Sequence, residues 1–207
     1  MSSKEKNNKE NVKHDSLSDM VEQNPGLALH YAADSGDIGL AKTILKKRNA
    51  DINHIDSSGF TPLFRAAMKK QKSFIMFMLE NGADPNLQTR EGFTPLMAAV
   101  ESGDVTLVEI FLKHKANPDL QTIQGTTSLH IAASTGKTEI IRLLINSGAD
   151  TGIRDKTDIK KILEQQTGQE IIMTGGDEKL LSGLTALDIA RMCGQTEAEE
   201  LLAGHKS

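Results

Sequence analysis

The chain has 207 residues, a formal net charge of −4 and a single cysteine. So small a charge does not draw a chain to nucleic acid or to an anionic membrane, and one cysteine cannot form an internal disulfide framework. The longest purely apolar run, residues 74–79, is far too short to cross a membrane. These features predict a protein of the reducing cytoplasm, with nuclear localisation and delivery into a host cell left open.

The N-terminal residues differ in composition from the rest of the chain. Residues 1–13 are polar and charged and lack the apolar core of a signal peptide. We expect a disordered tail at residues 1–15, one domain over residues 16–203 and a C-terminal tail at 204–207. Three apolar residues near the start of the domain predict half a helical unit that closes its N-terminal side: Leu17, Met20 and Val21.

Similar segments recur every 33 residues in the middle of the chain. They read GFTPLFRAA from Gly59, GFTPLMAA from Gly92 and GTTSLHIAA from Gly125. Weaker copies have Leu29 and Leu187 at the position of the first leucine. A fixed period of this length is typical of stacked repeat proteins, whose function generally lies on the surface rather than in a catalytic pocket.

Each segment predicts a pair of short helices. Thr61 and Thr94 can cap the first helix of a pair, with a proline at its first position. Four of the pairs then have a glycine, which favours the left-handed conformation that ends a helix, at Gly36, Gly103, Gly136 and Gly194. A second helix follows, for example at residues 138–146, and a hairpin-like finger leads to the next pair. Helices this short cannot bury their apolar faces alone, so we expect the pairs to stack.

These segments resemble the ankyrin repeat, whose hallmark is Thr-Pro-Leu-His-x-Ala-Ala followed by Gly-Ala-Asp. The second motif occurs here at Gly82 and Gly148, and as Lys-Ala-Asn at Lys115. The resemblance covers roughly residues 24–203 and implies an all-α ankyrin-repeat solenoid of about five helix-turn-helix units with finger loops. We place these units, called repeats 1 to 5, at about 24–56, 57–90, 91–123, 124–156 and 183–203.

Repeat 2 departs from the turn pattern, because Lys70 stands where the other four repeats have glycine. In a left-handed turn a lysine costs about 1 kcal/mol relative to glycine. The sequence therefore predicts that Lys70→Gly raises the melting temperature.

Repeat 5 carries charge at two positions that are apolar in repeats 1 to 4. Arg191 and Glu199 stand where the earlier repeats have alanine, valine or isoleucine. This change predicts a terminal repeat with a water-exposed outer face, which ends the solenoid near Ala203.

Residues 158–182 insert 25 residues into the finger between repeats 4 and 5. Asp158 can cap a short helix that runs to Gln166, and an apolar run follows at residues 171–173. The apolar residues favour docking on the solenoid or on a partner, because long loops in compact folds often carry function. The alternative is a tolerated surface insertion.

The chain contains no pattern that predicts catalysis or metal binding. None of its six histidines has a metal-type neighbour three or four residues away, and Cys193 has no adjacent histidine. His30 and His130 occupy the histidine position of the ankyrin hallmark, which implies a structural hydrogen bond between adjacent fingers. We therefore expect no enzymatic activity, no metal and no cofactor.

Two basic clusters lie at opposite ends of their repeats. One is at residues 46–48 and follows a second helix, where positive charge favours the helix C-terminus. The other consists of Arg65, Lys69, Lys70 and Lys72. We interpret both as solvated faces, with a patch that binds phosphate or acidic groups as the alternative.

The resemblance implies a partner-binding surface on the fingers and on the groove beside the first helices. Phe60 and Phe93, each just before a threonine cap, have the composition of an interface hot spot; alternatively, their rings lie against neighbouring fingers. Met76 is predicted to be exposed on a second helix. The implied binding residues are Ser58, Phe60, Met68, Lys69, Arg90, Glu91, Phe93, Glu101, Ser102, Ile123, Gln124, Thr126, Ser134 and Thr135.

We therefore predict a monomeric, non-catalytic module that binds another protein or a peptide and acts as an adaptor, inhibitor or scaffold. The alternative is a regulator or a bacterial effector-type protein, in which the insertion at 158–182 is the contact element and the solenoid presents it.

Overall fold

The computed structural model describes residues 17–47, 50–157 and 183–205. Across these three ranges the chain forms eleven α-helices and no strand, so the protein is all-α, as the sequence predicts. The helices are α1 (17–23), α2 (Pro25–Ser35), α3 (Ile38–Leu45), α4 (Pro62–Met68), α5 (Lys72–Glu80), α6 (Pro95–Ser102), α7 (Val105–Lys113), α8 (Ser128–Ser134), α9 (Thr138–Asn146), α10 (Ala186–Met192) and α11 (Thr196–Ala203).

Helices α2 to α11 form five consecutive pairs, which confirms the predicted helix-turn-helix units. The chain divides into two compact units, residues 1–90 and 91–207. In the N-terminal unit α2 packs along α4, and in the C-terminal unit α8 packs between α6 and α10. Three predictions lie outside the described residues: the disordered tail at 1–15, the basic residue Arg48 and the insertion at 158–182.

The first helices begin where the threonines predict. The hydroxyl of Thr61 accepts a hydrogen bond from the Phe64 N–H (3.1 Å), and that of Thr94 accepts one from the Met97 N–H (3.2 Å). Repeat 1 has Leu27 at the threonine position, so its first helix starts one turn earlier and is capped by a different residue, Asn24.

The second helices begin in two different ways. In repeats 1 and 3 the carboxylates of Asp37 and Asp104 cap them. In repeat 4 Lys137 stands at the same position without capping; its Nζ instead donates to the carbonyl oxygens of Val100 (3.0 Å) and Glu101 (2.7 Å). These carbonyls end α6, so a positive charge stabilises the C-terminus of a helix in the preceding repeat.

The core consists of alanines between the first helices and larger apolar residues beneath them. Ala32, Ala66, Ala99 and Ala132 are fully buried, which lets α2 approach α4 in the N-terminal unit and α6 approach α8 in the C-terminal unit. In repeat 5 Arg191 is exposed, and its Nε donates to Glu199 Oε1 at 2.8 Å. The two charged positions of repeat 5 therefore pair with one another; Arg191 is exposed as predicted, whereas Glu199 is half-buried.

The turns that follow the first helices are left-handed. The backbone angle φ is 71°, 70°, 65° and 68° at Gly36, Gly103, Gly136 and Gly194 respectively, and 55° at Lys70. A second lysine, Lys115, has a φ of 64° after α7, where repeats 2 and 4 have glycine. The left-handed conformation predicted for Lys70 is confirmed. The left-handed conformation of Lys115, after α7, was not predicted.

Lys70→Gly is expected to stabilise the protein by about 1 kcal/mol, because glycine adopts φ near 55° without the steric cost that lysine incurs. The change is measurable as a higher denaturation midpoint in urea. Gly194→Lys is the matched control: the added Cβ has no atom within 4 Å, so it should lose about the same amount through the backbone alone. An equal midpoint for Lys70→Gly and the parent chain would contradict this account of the turn.

Candidate protein-binding surface

The fingers of the C-terminal unit are joined to one another by their backbones. The Ile123 N–H donates to the Glu91 carbonyl oxygen (3.0 Å), and the Lys156 N–H donates to the Gln124 carbonyl oxygen (2.8 Å). The Lys156 Nζ adds a bond to the Ile123 carbonyl oxygen at 2.9 Å. Three successive finger tips thus form one continuous edge, and their exposed side chains are held in fixed register.

Close approach of the next finger explains why each tip has glycine. A Cβ on Gly92 would lie 2.7 Å from Thr122 Cα, and one on Gly125 would lie 2.9 Å from Asp155 Cα. Both contacts are with backbone atoms of the following finger, which cannot move aside. Glycine at the tip is therefore a packing requirement as well as a turn requirement, since φ is 85° and 79° at these positions.

The 25-residue insertion leaves and rejoins the chain at the tip of a normal finger. The finger between repeats 1 and 2 is closed by the Asp56 N–H donating to the Phe60 carbonyl oxygen at 3.0 Å. The equivalent bond after repeat 4 joins the Asp155 N–H to the Leu184 carbonyl oxygen, also at 3.0 Å. A further bond from the Gly183 N–H to the Thr157 carbonyl oxygen (3.1 Å) closes the base of the insertion.

Two aspartates, the buried Asp56 and the half-buried Asp155, hold two of the fingers. Asp56 accepts hydrogen bonds from the backbone of Ser58 and Phe60 and from the guanidinium of Arg65. Burial alone would raise the pKa of Asp56, but these hydrogen bonds outweigh it and hold the pKa below its usual range. Asp155 behaves in the same way: its burial is outweighed by bonds from neighbouring finger residues, and its pKa is lowered.

The two histidines of the ankyrin hallmark make structural hydrogen bonds, but these bonds join a first helix to a finger rather than two adjacent fingers. His30 Nε2 donates to the His54 carbonyl oxygen (3.0 Å), and His130 Nε2 donates to the Leu184 carbonyl oxygen (2.9 Å). His130 Nδ1 also accepts from the hydroxyl of Thr127 at 2.7 Å. Burial lowers the pKa of both imidazoles, so the neutral ring is the form that fits these bonds.

His30 Nδ1 lacks the partner that its counterpart has. It is buried and, among the described residues, has no hydrogen-bond partner; the nearest carboxylate oxygen, on Asp56, is 3.9 Å away. The cause is local, because Leu27 replaces the capping threonine and belongs to the first turn of α2. The early start of this helix therefore leaves a buried nitrogen unsatisfied.

The free energy of unfolding is expected to fall as pH drops from 7.5 to 5.5. Unfolded histidine has a pKa of about 6.5, whereas folded His30 and His130 have lowered values, so the unfolded chain binds protons that the folded chain does not. His130→Met, which copies buried Met97 of repeat 3, should lose about 0.5–1.5 kcal/mol at pH 7.5, because the hydrogen bonds of His130 to the Leu184 carbonyl and to the Thr127 hydroxyl are removed.

The same variant should show a shallower decline with pH, since one of the two titrating groups is gone. Urea denaturation at each pH measures both effects. Parallel pH profiles for the variant and the parent chain would show that His130 is not the titrating group.

The predicted binding residues of the N-terminal unit differ in their accessibility. Ser58, Lys69 and Arg90 are exposed, and Met68 has 55% of its surface exposed. Phe60 is half-buried: its ring stacks on Phe64 with centroids 5.1 Å apart. The Phe60 ring thus stacks within its own repeat, a contact that differs from the neighbouring-finger contact of the alternative interpretation.

In the C-terminal unit, the exposed apolar residues of the predicted set are Phe93 (37%) and Ile123 (57%). The other exposed members are Glu91, Glu101, Gln124 and Thr135, whereas Ser102, Thr126 and Ser134 are half-buried. The hydroxyls of Ser102, Ser134 and Thr135 donate to carbonyl oxygens of their own helices. Accessible apolar contact area in this set is therefore concentrated on the finger residues.

Some exposed apolar residues were not predicted. Tyr31 has 52% of its surface exposed and Met192 has 65%. Both stand on first helices. In the other repeats, the position of Tyr31 holds arginine, alanine or isoleucine, and the position of Met192 holds methionine or a charged or polar residue. Reading these positions down the repeats would have identified them. The predicted exposure of Met76 on a second helix is confirmed at 42%.

The described residues offer little for a metal site, a membrane-spanning helix or a small-molecule pocket. Within 17–47, 50–157 and 183–205, no three histidine, cysteine or acidic residues come together as metal ligands. None of the helices in that part of the chain is long and apolar enough to span a bilayer. The C-terminal unit has two shallow pockets, of about 110 and 270 Å³; the first is lined by Arg142, Ile145, Asn146, Leu201 and His205.

Comparison with known proteins agrees with the fold. A family model described as ankyrin repeats in three copies matches residues 4–89 and 63–155. The chain therefore belongs to the ankyrin-repeat family.

The curated relatives share short stretches of the chain. Human "Ankyrin repeat family A protein 2" is 43% identical over 61 residues, which are 30% of this chain and 19% of that protein. "Regulatory protein NPR1" of Arabidopsis thaliana is 39% identical over 62 residues, 30% of this chain and 10% of that protein. Human "Transient receptor potential cation channel subfamily A member 1" is 41% identical over 61 residues, 29% of this chain and 6% of the relative. The chain thus spans about a fifth or less of these relatives.

Proposed function

We propose that the chain is a non-catalytic interaction module that binds a protein or peptide through its fingers and first helices. Ankyrin repeats are generally protein–protein interaction modules, and their fold is generally non-catalytic. The finer role proposed here is that of an adaptor, inhibitor or scaffold, acting as a monomer in the cytoplasm. Its binding surface comprises the predicted residues of each unit, with Phe60 contributing to stability rather than to contact.

The observation that carries this proposal is the backbone-joined edge of the C-terminal fingers. Binding costs less conformational entropy when the contacting groups are ordered beforehand. The bonds from Ile123 to Glu91 and from Lys156 to Gln124 provide that order. Phe93 and Ile123 present apolar area beside this edge, and exposed apolar side chains on a rigid support favour recognition.

A second candidate function assigns the contact to the insertion at 158–182. The hydrogen bond from the Gly183 N–H to the Thr157 carbonyl oxygen favours it, because this bond fixes both ends of the insertion at the end of a finger. In this version the repeats present the insertion to a host or regulatory target.

Selection from a random peptide display library against the folded chain tests the first candidate. Phe93→Ser combined with Ile123→Ser should lower the affinity of the selected peptides roughly tenfold or more, because both substitutions remove apolar contact area from the proposed hot spot. Met76→Ser, which removes an exposed apolar side chain from a second helix, is the matched control and should bind as the parent chain does. Peptides that bind the parent chain, the double variant and Met76→Ser equally would refute this proposed binding surface.

Deletion of residues 158–182 separates the two candidates. It leaves Asp155-Lys156-Thr157 joined to Gly183-Leu184, the length of a normal finger. Shortening the loop should stabilise the fold by about 1–2 kcal/mol through loop-closure entropy, as measured by urea denaturation. Retained peptide binding supports the finger surface, and loss of binding with an intact fold supports the insertion.

A further inference from the structure

Two carboxylates share one guanidinium in the N-terminal unit. The Nε and Nη2 atoms of Arg65 donate to Asp56 Oδ2 at 2.9 and 2.6 Å, and Nη1 donates to Asp34 Oδ2 at 3.2 Å. Asp56 is buried on the finger between repeats 1 and 2, whereas the Asp34 side chain is 40% exposed near the end of α2. The cluster therefore holds one more negative charge than positive.

A buried imidazole stands at the edge of this cluster. His30 Nδ1 is 3.9 Å from Asp56 Oδ2, the oxygen that accepts two bonds from Arg65. The side chains of His30 and Asp56 are 5% and 4% exposed, so water and salt screen their interaction weakly. Nδ1 has no hydrogen-bond partner among the described residues. A proton on this nitrogen supplies the positive charge that the cluster lacks, and it displaces no existing bond.

His130 shows the opposite arrangement at the equivalent position of repeat 4. Its Nδ1 accepts a hydrogen bond from the Thr127 hydroxyl at 2.7 Å, so protonation of that nitrogen removes a bond. Repeat 1 has Leu27 in place of this threonine, and its side chain offers no hydroxyl. The two histidines thus differ in what protonation costs them, although both donate through Nε2 to a finger carbonyl.

The groups that act electrostatically on His30 come from α4 and from the finger. Burial is the largest influence and lowers the pKa of His30. Asp56 and the bond to the His54 carbonyl raise this pKa, whereas the charges of Arg65 and His54 lower it. The His54 ring lies edge-on to the His30 ring, with centroids 5.7 Å apart. The balance keeps His30 neutral at pH 7 and places its protonation below pH 6.5.

We propose a proton-operated switch within the N-terminal unit, formed by His30, Asp34, Asp56 and Arg65. On acidification a proton from the solvent binds His30 Nδ1, and this nitrogen approaches Asp56 Oδ2 by about 1 Å to donate a hydrogen bond. Because that oxygen already accepts two bonds, the new donor competes with Arg65. The guanidinium gives up a bond to Asp56 and moves toward Asp34, its other carboxylate.

The switch changes the exposed surface beside it. Arg65 Cζ lies over the Phe60 ring, 5.8 Å from its centroid, so movement of the guanidinium toward Asp34 uncovers part of that ring. Met68, one turn after Arg65 on α4, belongs to the predicted binding residues and is exposed. Acidification thereby alters both apolar area and charge on this part of the surface. The switch goes beyond the proposed function, and its test needs no binding partner.

NMR spectroscopy of the full chain, with assigned histidine and arginine side-chain signals, tests the switch between about pH 7.5 and 5. We expect the His30 imidazole to titrate below pH 6.5 in the folded protein, and the Arg65 Nε–H signal to shift with the same midpoint. The variant His130→Met is the control for the second buried histidine. It should retain the coupling between His30 and Arg65.

Asp34→Asn removes the carboxylate toward which Arg65 moves. We expect it to lower the midpoint of the His30 titration by roughly 0.5 pH unit or more, because the protonated state loses this acceptor. Glu80→Gln removes the same charge from an exposed position at the end of α5, and should leave the midpoint within about 0.2 pH unit of the parent chain. Both substitutions are at exposed carboxylates, so the variants should fold; circular dichroism and urea denaturation verify this.

Three results would overturn the proposal. An Arg65 signal that stays constant while His30 titrates would show that the guanidinium does not move. A midpoint in Asp34→Asn equal to that of the parent chain, or to that of an equally shifted Glu80→Gln, would show that Asp34 has no specific part. Protonation of His30 only when the chain unfolds would show that Asp56 does not accept the new bond.

Discussion

Mutual burial between adjacent repeats is the interaction on which this protein depends. Each helix pair is too short to enclose an apolar core of its own, so within each compact unit the first helices cover one another, α2 against α4 and α8 between α6 and α10. Close packing then allows the hydrogen bonds from His30 and His130 to the fingers and the backbone hydrogen bonds between successive fingers. In repeat 5 Arg191 and Glu199 stand where the other repeats have apolar residues, and the two charged side chains satisfy each other.

The repeat architecture was predictable because each of its signals is local. Threonine caps and left-handed turns involve residues only a few positions apart, and comparison of equivalent positions was enough to assign φ > 0 to Lys70. Lys115 follows the same logic and was missed because only one turn position was compared. The early start of α2 was partly visible, since Leu27 replaces threonine, but the cap at Asn24 depends on a helix register that the sequence did not specify.

Side-chain accessibility was harder to predict, because it depends on contacts across the repeat. Phe60 and Phe93 occupy the same position, yet only Phe60 has an aromatic residue, Phe64, at the histidine position on which to stack. The pairing of Asp34 with Arg65 arises from the same cause: it joins positions 31 residues apart that become neighbours through helix packing. Repeat position therefore predicted the exposure of finger residues such as Phe93 and Ile123, whereas the contacts of individual side chains required the structure; their role in binding stays a prediction.

Closure of the finger below Thr157 and Gly183 rests on hydrogen bonds at its base. These bonds fix where the chain departs and returns, so the finger closes through residues outside the 25-residue insertion. The tip of this finger is accordingly a place where a repeat protein can acquire new recognition properties without a new fold, and where a foreign segment can be grafted with its two ends already held together.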